Sequence, residues 1–225
     1  RSGEFAMLGL IQPDGRSLLR AYSMASPSWD DQLEFYSIIL PDGPLTSRLC
    51  HIAAGDHLYL RAKTTGTLVL DTLTSGKRLF LLSTGTGFAP FASIIRDPQT
   101  YEFFDQVIVT HTCRNHADLG FSQHIVDVAT SHPLIGEMIA PRLTYYPTLT
   151  RENFRQQGRI TSILKSGKLF EDLNISAFDP ANDRVMICGS MGLNKDLAAF
   201  LQMQGFVEGS HNAPATFVVE RAFVG

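Results

Sequence analysis

The first third of the chain alternates short apolar runs with turn-forming residues. The runs predict strands and one short helix, because clusters of Gly, Pro, Asp and Asn separate them, as at residues 12–15 and 41–43. Several short strands joined by turns are typical of an antiparallel barrel or sandwich. The predicted strands cover residues 5–10, 18–23, 33–40, 57–61 and 67–70, and the helix covers residues 45–52.

After Gly76 the pattern changes to apolar strands that alternate with helical stretches. This alternation predicts a five-stranded parallel sheet with helices on both faces. A domain boundary is expected at residues 74–77, with one domain over residues 1–74 and a second over residues 77–225. The predicted strands cover residues 79–82, 107–112, 143–146, 185–188 and 216–219, and the helices cover residues 88–96, 121–129, 160–165 and 193–204.

Residues 79–95 predict a strand, a glycine turn and a helix in direct succession. Gly85 and Gly87 interrupt the apolar pattern, and Pro90 suits the first turn of the helix. A turn without Cβ atoms lets a ligand approach the backbone, and the start of a helix offers free N–H groups to an anion. The stretch favours a phosphate site, and a tight turn without a ligand is the alternative. Pro90 stands where the dinucleotide fingerprint G-x-G-x-x-G has its last glycine, which argues against an ordinary NAD-binding turn.

Polar residues follow each of the predicted parallel strands. Ligands of open α/β sheets bind beyond the carboxyl ends of the strands, so these residues are expected to meet at one rim. Backbone N–H groups there suit a pyrophosphate, and guanidinium groups suit an additional phosphate monoester. Ordinary polar loops are the alternative. The rim residues are Thr84, Gly85, Thr86, Gly87, Arg114, Arg151, Cys188, Gly189, Ser190, Met191 and Glu220.

Two motifs in the first part of the chain have related chemistry. The tetrapeptide Arg20-Ala21-Tyr22-Ser23 ends a predicted strand and offers a cation, an aromatic ring that can stack, and a hydroxyl donor. Ordinary strand is the alternative for this tetrapeptide. The stretch from Gly43 to Ser47 precedes a short helix and is a second candidate anion site of the same physical type.

The composition argues against several classes of function. A net charge of −3 over 225 residues gives no overall basic footprint for nucleic acid. Three scattered cysteines without a C-x-x-C motif argue against a disulfide framework and a zinc site, and favour a reducing compartment. No apolar run approaches the ~20 residues that span a bilayer. We therefore expect a cytoplasmic protein with no metal, no bound nucleic acid and no membrane span.

Taken together, these motifs resemble those of the bacterial ferredoxin/flavodoxin–NADP reductases. The resemblance covers essentially the whole chain, and the motifs occur in the family's order. They are Arg20-Ala21-Tyr22-Ser23, Gly43-Pro44-Leu45-Thr46-Ser47, Gly85-Thr86-Gly87, Cys188-Gly189-Ser190-Met191 and the tail from Phe217 to Gly225.

The resemblance implies an N-terminal antiparallel barrel that holds FAD and a C-terminal five-stranded parallel sheet that holds NADP(H). It implies that Arg20 contacts the FAD pyrophosphate, Tyr22 packs on the isoalloxazine and Ser23 lies near flavin N5. In the bacterial subclass Ala222 covers the flavin ring and Phe223 stacks on the adenine. The implied FAD residues are Arg20, Ala21, Tyr22, Ser23, Tyr36, Ser37, Ile38, Ile39, Leu45, Thr46, Ser47, Ala222 and Phe223.

For NADP the resemblance implies that the Gly85 turn holds the pyrophosphate and that Arg114 and Arg159, assisted by Arg151, grip the 2′-phosphate. Cys188 matches the residue beside the nicotinamide, and Glu220 matches a carboxylate near the flavin edge. The implied catalytic residues are Ser23, Cys188 and Glu220. The implied NADP residues are Thr84, Gly85, Thr86, Gly87, Arg114, Arg151, Arg159, Cys188, Gly189, Ser190 and Met191.

The implied activity is hydride transfer between NADP(H) and FAD, followed by exchange of single electrons with ferredoxin or flavodoxin. We expect a monomer, and the family has one further strand before Arg1. Two alternatives stay open on the sequence alone. One is an NADH-preferring flavin or cytochrome reductase of the same architecture, and the other is a flavin- or nucleotide-binding sensor without enzymatic activity.

Overall fold

The N-terminal part of the protein is built on a small antiparallel sheet. A computed structural model describes residues 1–221. Within them, strands β1 (Phe5–Ile11), β2 (Ser17–Ser23) and β3 (Tyr59–Leu60) form a three-stranded sheet in the order β2-β1-β3, with both pairs antiparallel. The hairpin of β1 and β2 turns at residues 12–16, where Gln12 N–H donates to the Arg16 carbonyl at 2.8 Å. The predicted hairpin is therefore confirmed.

The strand predicted over residues 33–40 is wrong. Within residues 1–221 this extended segment makes a single isolated antiparallel bridge, between Met24 and Phe35. Its backbone is held instead by the Ser26 side chain, which accepts from Glu34 N–H at 3.1 Å. The Tyr36 ring stacks on Phe121 with centroids 4.1 Å apart. The segment is rich in apolar and aromatic residues, but it packs against a helix of the other half of the molecule and pairs with no neighbouring strand among the described residues.

Three further predictions near the sheet need correction. Residues 67–70 form no strand, because Thr72 Oγ1 donates to the Thr67 and Val69 carbonyls and curls the chain into a 3₁₀ helix over Leu70–Thr72. The buried side chains of Leu68 and Val69 produced the apolar run. The helix predicted over residues 45–52 is shorter, as α1 (Thr46–Leu49), and the strand at residues 57–61 shrinks to β3.

The C-terminal part is a five-stranded, fully parallel sheet, as predicted. Its strands are β4 (Arg78–Thr84), β5 (Gln106–Cys113), β6 (Leu143–Leu149), β7 (Asp183–Cys188) and β8 (Phe217–Glu220), in the order β6-β5-β4-β7-β8. In β4, residues 79–83 are all buried, as expected for a central strand that is covered on both faces.

Helices cover both faces of this sheet. On one face, Leu79, Leu81 and Val109 pack against α2 (Ala89–Ile95) and α4 (Gly120–Ser131). On the other, Phe80 and Ile187 pack against α6 (Ile160–Lys165), α7 (Lys168–Leu173) and α8 (Met191–Met203). All four predicted helices of this part are present, and α3 (Pro98–Phe103), α5 (Gly136–Ile139) and α7 are additional. No described helix is long and apolar enough to cross a membrane.

The two parts of the molecule meet along a polar seam. Arg96, at the end of α2, donates to Glu34 Oε2 at 2.6 Å and to the Ala25 carbonyl. Gly3 N–H donates to Ser93 Oγ at 2.8 Å. These bonds hold the extended segment of the first part against the helix that follows the glycine turn.

Candidate functional site

The glycine turn connects β4 to α2 through a 3₁₀ helix over Gly85–Phe88. Gly85 has φ +52°, a left-handed conformation that favours glycine, and the space beside its Cα is open. Gly87 is glycine for a different reason: a Cβ there would lie 2.2 Å from the Cys188 carbonyl oxygen. The turn is therefore packed tightly against the end of β7 on one side and accessible on the other.

The turn after β7 lies directly beside the glycine turn. A Cβ on Gly189 would lie 2.3 Å from Thr84 Oγ1, and Ser190 N–H donates to that same oxygen at 3.3 Å. The Ser190 side chain caps α8 by accepting from Leu193 N–H. Met191 is exposed at the helix start. The structure thus brings two of the predicted motifs, residues 84–87 and 188–191, into direct contact.

The three predicted arginines lie on neighbouring loops of the same rim. Arg151 N–H donates to the Arg114 carbonyl at 3.1 Å, which fixes the loops after β5 and β6 side by side. Arg159 immediately precedes α6, and Gly158 N–H next to it donates to the Leu149 carbonyl at the end of β6. All three side chains are exposed, and none makes an ion pair or side-chain hydrogen bond within residues 1–221. Their guanidinium groups are available to a phosphate.

Glu220 and Cys188 are paired across adjacent strands. They are partners in the register of β7 and β8. The buried Glu220 carboxylate accepts from Thr67 N–H at 2.9 Å and from Arg221 N–H at 2.9 Å. Burial, and after it the charge of Glu220, raises the pKa of the fully buried Cys188 thiol, so this thiol stays protonated at neutral pH. The pair therefore brings a neutral thiol next to a fixed carboxylate.

Backbone bonds connect this pair to the predicted FAD motif. Ser23 at the end of β2 is the register partner of Phe5 in β1. Phe5 in turn bonds Thr65, with Phe5 N–H donating at 2.7 Å, and Thr65 is two residues before Thr67. A path of contacts therefore crosses the boundary between the two sheets. It runs from Ser23 through Phe5 and the segment at residues 65–67 to Glu220, and from Glu220 to its register partner Cys188.

The remaining predicted FAD residues form a second surface. Ser37 Oγ lies 3.5 Å from Tyr22 OH, so the two motifs meet. Thr46 at the start of α1 bonds both Leu40 N–H and the Leu40 carbonyl through its hydroxyl, which places the α1 start beside the extended segment. Leu45 is buried, and Arg20 is exposed, with its guanidinium donating to the adjacent Leu19 carbonyl. Ala222 and Phe223 lie outside the described residues.

This second surface fits a large flat apolar group. Ile38, Ile39 and Leu40 are 51%, 64% and 52% exposed, although three consecutive apolar side chains in water are unfavourable. Tyr22 lies beside them, with the exposed cation of Arg20 on the same strand. An aromatic ring system with a diphosphate matches this set of apolar, aromatic and cationic groups.

Two residues near the site were not assigned to it from the sequence. Thr67 holds Glu220, but the sequence pattern suggested a strand there. His111 in β5 is fully buried, and its Nε2 lies 2.8 Å from the Gly85 carbonyl oxygen while its Nδ1 lies 2.7 Å from Ser122 Oγ. These contacts give His111 a structural, hydrogen-bonded role. Its contact with Gly85 depends on the strand register, which the sequence pattern does not reveal.

Burial lowers the pKa of His111 to about 4, against an ordinary 6.5, although the Gly85 carbonyl and Asp118 act in the opposite direction. Between about pH 4 and pH 6.5, His111 binds a proton in the unfolded chain but not in the folded protein. From this residue we expect the free energy of unfolding to fall by about 1.4 kcal/mol per unit as the pH drops from ~6.5 towards ~4. His111→Gln should flatten that slope, measured by urea unfolding at four pH values. Identical slopes for the two proteins would contradict the expectation.

The chain is similar to known proteins over its whole length. Residues 81–199 match the family described as "Oxidoreductase NAD-binding domain". The chain is 54% identical over 225 residues to the flavodoxin/ferredoxin–NADP reductase of Rhodobacter capsulatus, covering all of this chain and 83% of the relative. It is 48% identical over 225 residues to the ferredoxin–NADP reductase of Pseudomonas aeruginosa, covering all of this chain and 87% of the relative.

A solved structure agrees with the sequence comparison. The ferredoxin NADP⁺ reductase from Neisseria gonorrhoeae with bound FAD and NADP superposes with a TM-score of 0.87 at 28% identity, covering 99% of this chain and 87% of that chain. The fold and the matched domain place the chain among the oxidoreductases with an NAD-binding domain. More closely, the chain belongs to the bacterial ferredoxin/flavodoxin–NADP reductases. The resemblance drawn from the sequence, including the two-domain fold class, is confirmed.

Proposed function

We propose that this chain is a flavoenzyme that transfers a hydride between NADP(H) and FAD and exchanges single electrons with ferredoxin or flavodoxin. The observation that carries this proposal is the path from Ser23 to Glu220 and Cys188, which joins the predicted FAD motif to the predicted NADP motif. When bound, FAD converts a two-electron hydride into two single-electron steps, and the protein binds and orients the two reactants.

The first part of the chain would hold FAD. We assign Arg20 and the α1 start at Thr46 and Ser47 to the pyrophosphate, because a cation and a helix start on one surface suit an anion. Tyr22 and the exposed Ile38 and Ile39 supply a flat apolar surface for the ring system. The Tyr36 ring already packs on Phe121, so residues 36 and 37 would contribute mainly through the backbone and the Ser37 hydroxyl.

The second part would hold NADP(H). We assign the backbone N–H groups of residues 84–87 to the pyrophosphate and the turn at residues 188–191 to the nicotinamide side. Arg114 and Arg159 would bind the 2′-phosphate, assisted by Arg151, since their guanidinium groups are exposed and lack partners within residues 1–221. Planar guanidinium groups suit a phosphate monoester because they donate two parallel hydrogen bonds.

Ser23, Cys188 and Glu220 would line the place where the two rings meet. The Glu220 carboxylate accepts from the backbone N–H of Thr67, so the group that holds it in place is part of the backbone and not of a flexible side chain. The protonated Cys188 thiol adds no charge beside the nicotinamide, which gains a positive charge when it gives up hydride. The tail that follows Glu220 includes Ala222 and Phe223, to which the resemblance assigns the flavin ring and the adenine.

The carrier protein would dock on the first part of the chain. We propose that the exposed residues Arg48, Arg61 and Lys63 contribute to a basic surface for an acidic ferredoxin or flavodoxin. We also propose a cytoplasmic monomer, with the boundary between the FAD and NADP domains at residues 74–77.

The visible spectrum of the purified protein tests the proposed function. We expect flavin absorption bands that bleach within seconds of adding NADPH and return with an oxidised ferredoxin or flavodoxin. Faster bleaching by NADH than by NADPH would favour an NADH-preferring reductase of the same fold. A yellow protein that neither nucleotide reduces would favour a sensor, and a colourless protein that takes up no FAD would overturn the proposal.

A further inference from the structure

A buried chain of hydrogen bonds ends on the glycine turn. Tyr145 OH lies 2.6 Å from Ser122 Oγ, Ser122 Oγ lies 2.7 Å from His111 Nδ1, and His111 Nε2 lies 2.8 Å from the Gly85 carbonyl oxygen. His111 and Ser122 are fully buried. The three side chains come from β6, α4 and β5, so the chain connects three elements to one peptide unit of the turn.

The direction of these bonds follows from their last member. A carbonyl oxygen only accepts, so His111 Nε2 carries the proton and donates to Gly85. In a neutral imidazole Nδ1 then accepts, so the Ser122 hydroxyl donates to it at 2.7 Å rather than to the Leu119 carbonyl at 3.0 Å, and it accepts in turn from Tyr145 OH. The titratable and charged groups near the imidazole are Cys113, with Sγ 3.2 Å from Nε2, together with Tyr145 and Asp118. Burial keeps the pKa of His111 at about 4, so the imidazole is neutral at physiological pH.

The bond to Gly85 fixes the orientation of one peptide group. In a planar trans peptide the carbonyl and the next N–H point in opposite directions. With the Gly85 carbonyl turned inward to His111, the Thr86 N–H points away from the buried imidazole. Glycine permits several backbone conformations at this position, and the bond from His111 favours the one that the 3₁₀ helix over Gly85–Phe88 has.

We propose that His111 is a positioning residue for the dinucleotide: its hydrogen bond to the Gly85 carbonyl holds the 85–86 peptide so that Thr86 N–H faces the NADP(H) diphosphate. This inference rests on the proposed role of the Gly85 turn. His111 itself does not reach the ligand, because its ring is fully buried with the Phe88 ring 4.9 Å away. Its effect is to preorganise a donor on the adjacent loop.

Binding of two ligands to the flavin-loaded protein separates this role from a general structural one. NADP⁺ has the diphosphate and the 2′-phosphate, whereas adenosine 2′-monophosphate has only the monoester that Arg114 and Arg159 would bind. By calorimetry, His111→Leu should raise the Kd for NADP⁺ about tenfold and change that for adenosine 2′-monophosphate less than twofold. His111→Gln, which carries an N–H near the position of Nε2, should restore NADP⁺ binding to within threefold of the wild type.

Several outcomes would overturn the inference. NADP⁺ binding by His111→Leu at wild-type strength would do so, and so would an equal loss of both ligands. No recovery with His111→Gln would also count against it. If His111→Leu does not fold, Ser122→Ala keeps the imidazole but removes its Nδ1 partner. NADP⁺ binding should then weaken about threefold with adenosine 2′-monophosphate binding unchanged, and equal effects on both ligands would overturn the inference. A wild type that binds neither ligand would instead remove the proposed function, and this inference with it.

Discussion

Replacing both Arg114 and Arg159 with alanine should raise the KM for NADPH at least 100-fold and leave the KM for NADH nearly unchanged. Each charge-assisted hydrogen bond to a phosphate contributes about 1.5–3 kcal/mol, and about 1.4 kcal/mol corresponds to a tenfold change in affinity. Either single variant should therefore weaken NADPH binding by about tenfold or more. Only NADPH has the 2′-phosphate, so the loss falls on one nucleotide.

The measurement is steady-state kinetics with both nucleotides and a dye acceptor. Arg155→Ala is a matched control, because Arg155 is also exposed and lies between Arg151 and Arg159 in the same loop, but its Nε bonds the adjacent Gln156 side chain. It should change the KM for NADPH less than threefold. Equal losses for NADPH and NADH in the double variant would remove the assignment of the two arginines to the 2′-phosphate.

Two kinds of feature could be predicted from the sequence: strands that are buried on both faces of a sheet, and turns whose conformation depends on the residue type itself. The parallel sheet could be predicted because β4 and its neighbours are buried on both faces, which produces unbroken apolar runs at regular intervals along the chain. The glycine turn could be predicted because Gly85, Gly87 and Pro90 act through backbone conformation and close approach, which depend on the residue type itself.

Other features depend on contacts between distant residues. The segment at residues 33–40 is apolar and aromatic like a strand, but the stack of Tyr36 on Phe121 decides its environment, and the two residues are 85 positions apart. Thr67 reaches Glu220 over 153 positions. His111 reaches Gly85 only because β4 and β5 are in a register that pairs Ser83 with His111. Local patterns carry none of this information, so the support around the site became visible only in the structure.

Gly87→Ala should lower both the stability of the protein and its rate of hydride transfer. The new Cβ would lie 2.2 Å from the Cys188 carbonyl oxygen and 2.6 Å from its carbon, so the glycine turn and the turn after β7 must move apart. Overpacking of this kind costs about 1–3 kcal/mol. A displacement of about 1 Å between reacting groups can reduce a rate about 100-fold.

Gly120→Ala is the matched control for this variant. Gly120 is the first residue of α4. Apart from its chain neighbours and the backbone of its own helix, no atom of residues 1–221 lies within 4 Å of the position of an added Cβ. Alanine favours helix by up to about 1 kcal/mol over glycine, so the control should be as stable as the wild type or more stable. Thermal unfolding and rapid-mixing measurements of flavin reduction by NADPH give the two quantities. Gly87→Ala would leave both quantities unchanged only if the two turns need no close contact. Unfolding at the wild-type temperature together with flavin reduction at the wild-type rate would therefore contradict the role assigned to the contact between residues 84–87 and 188–191.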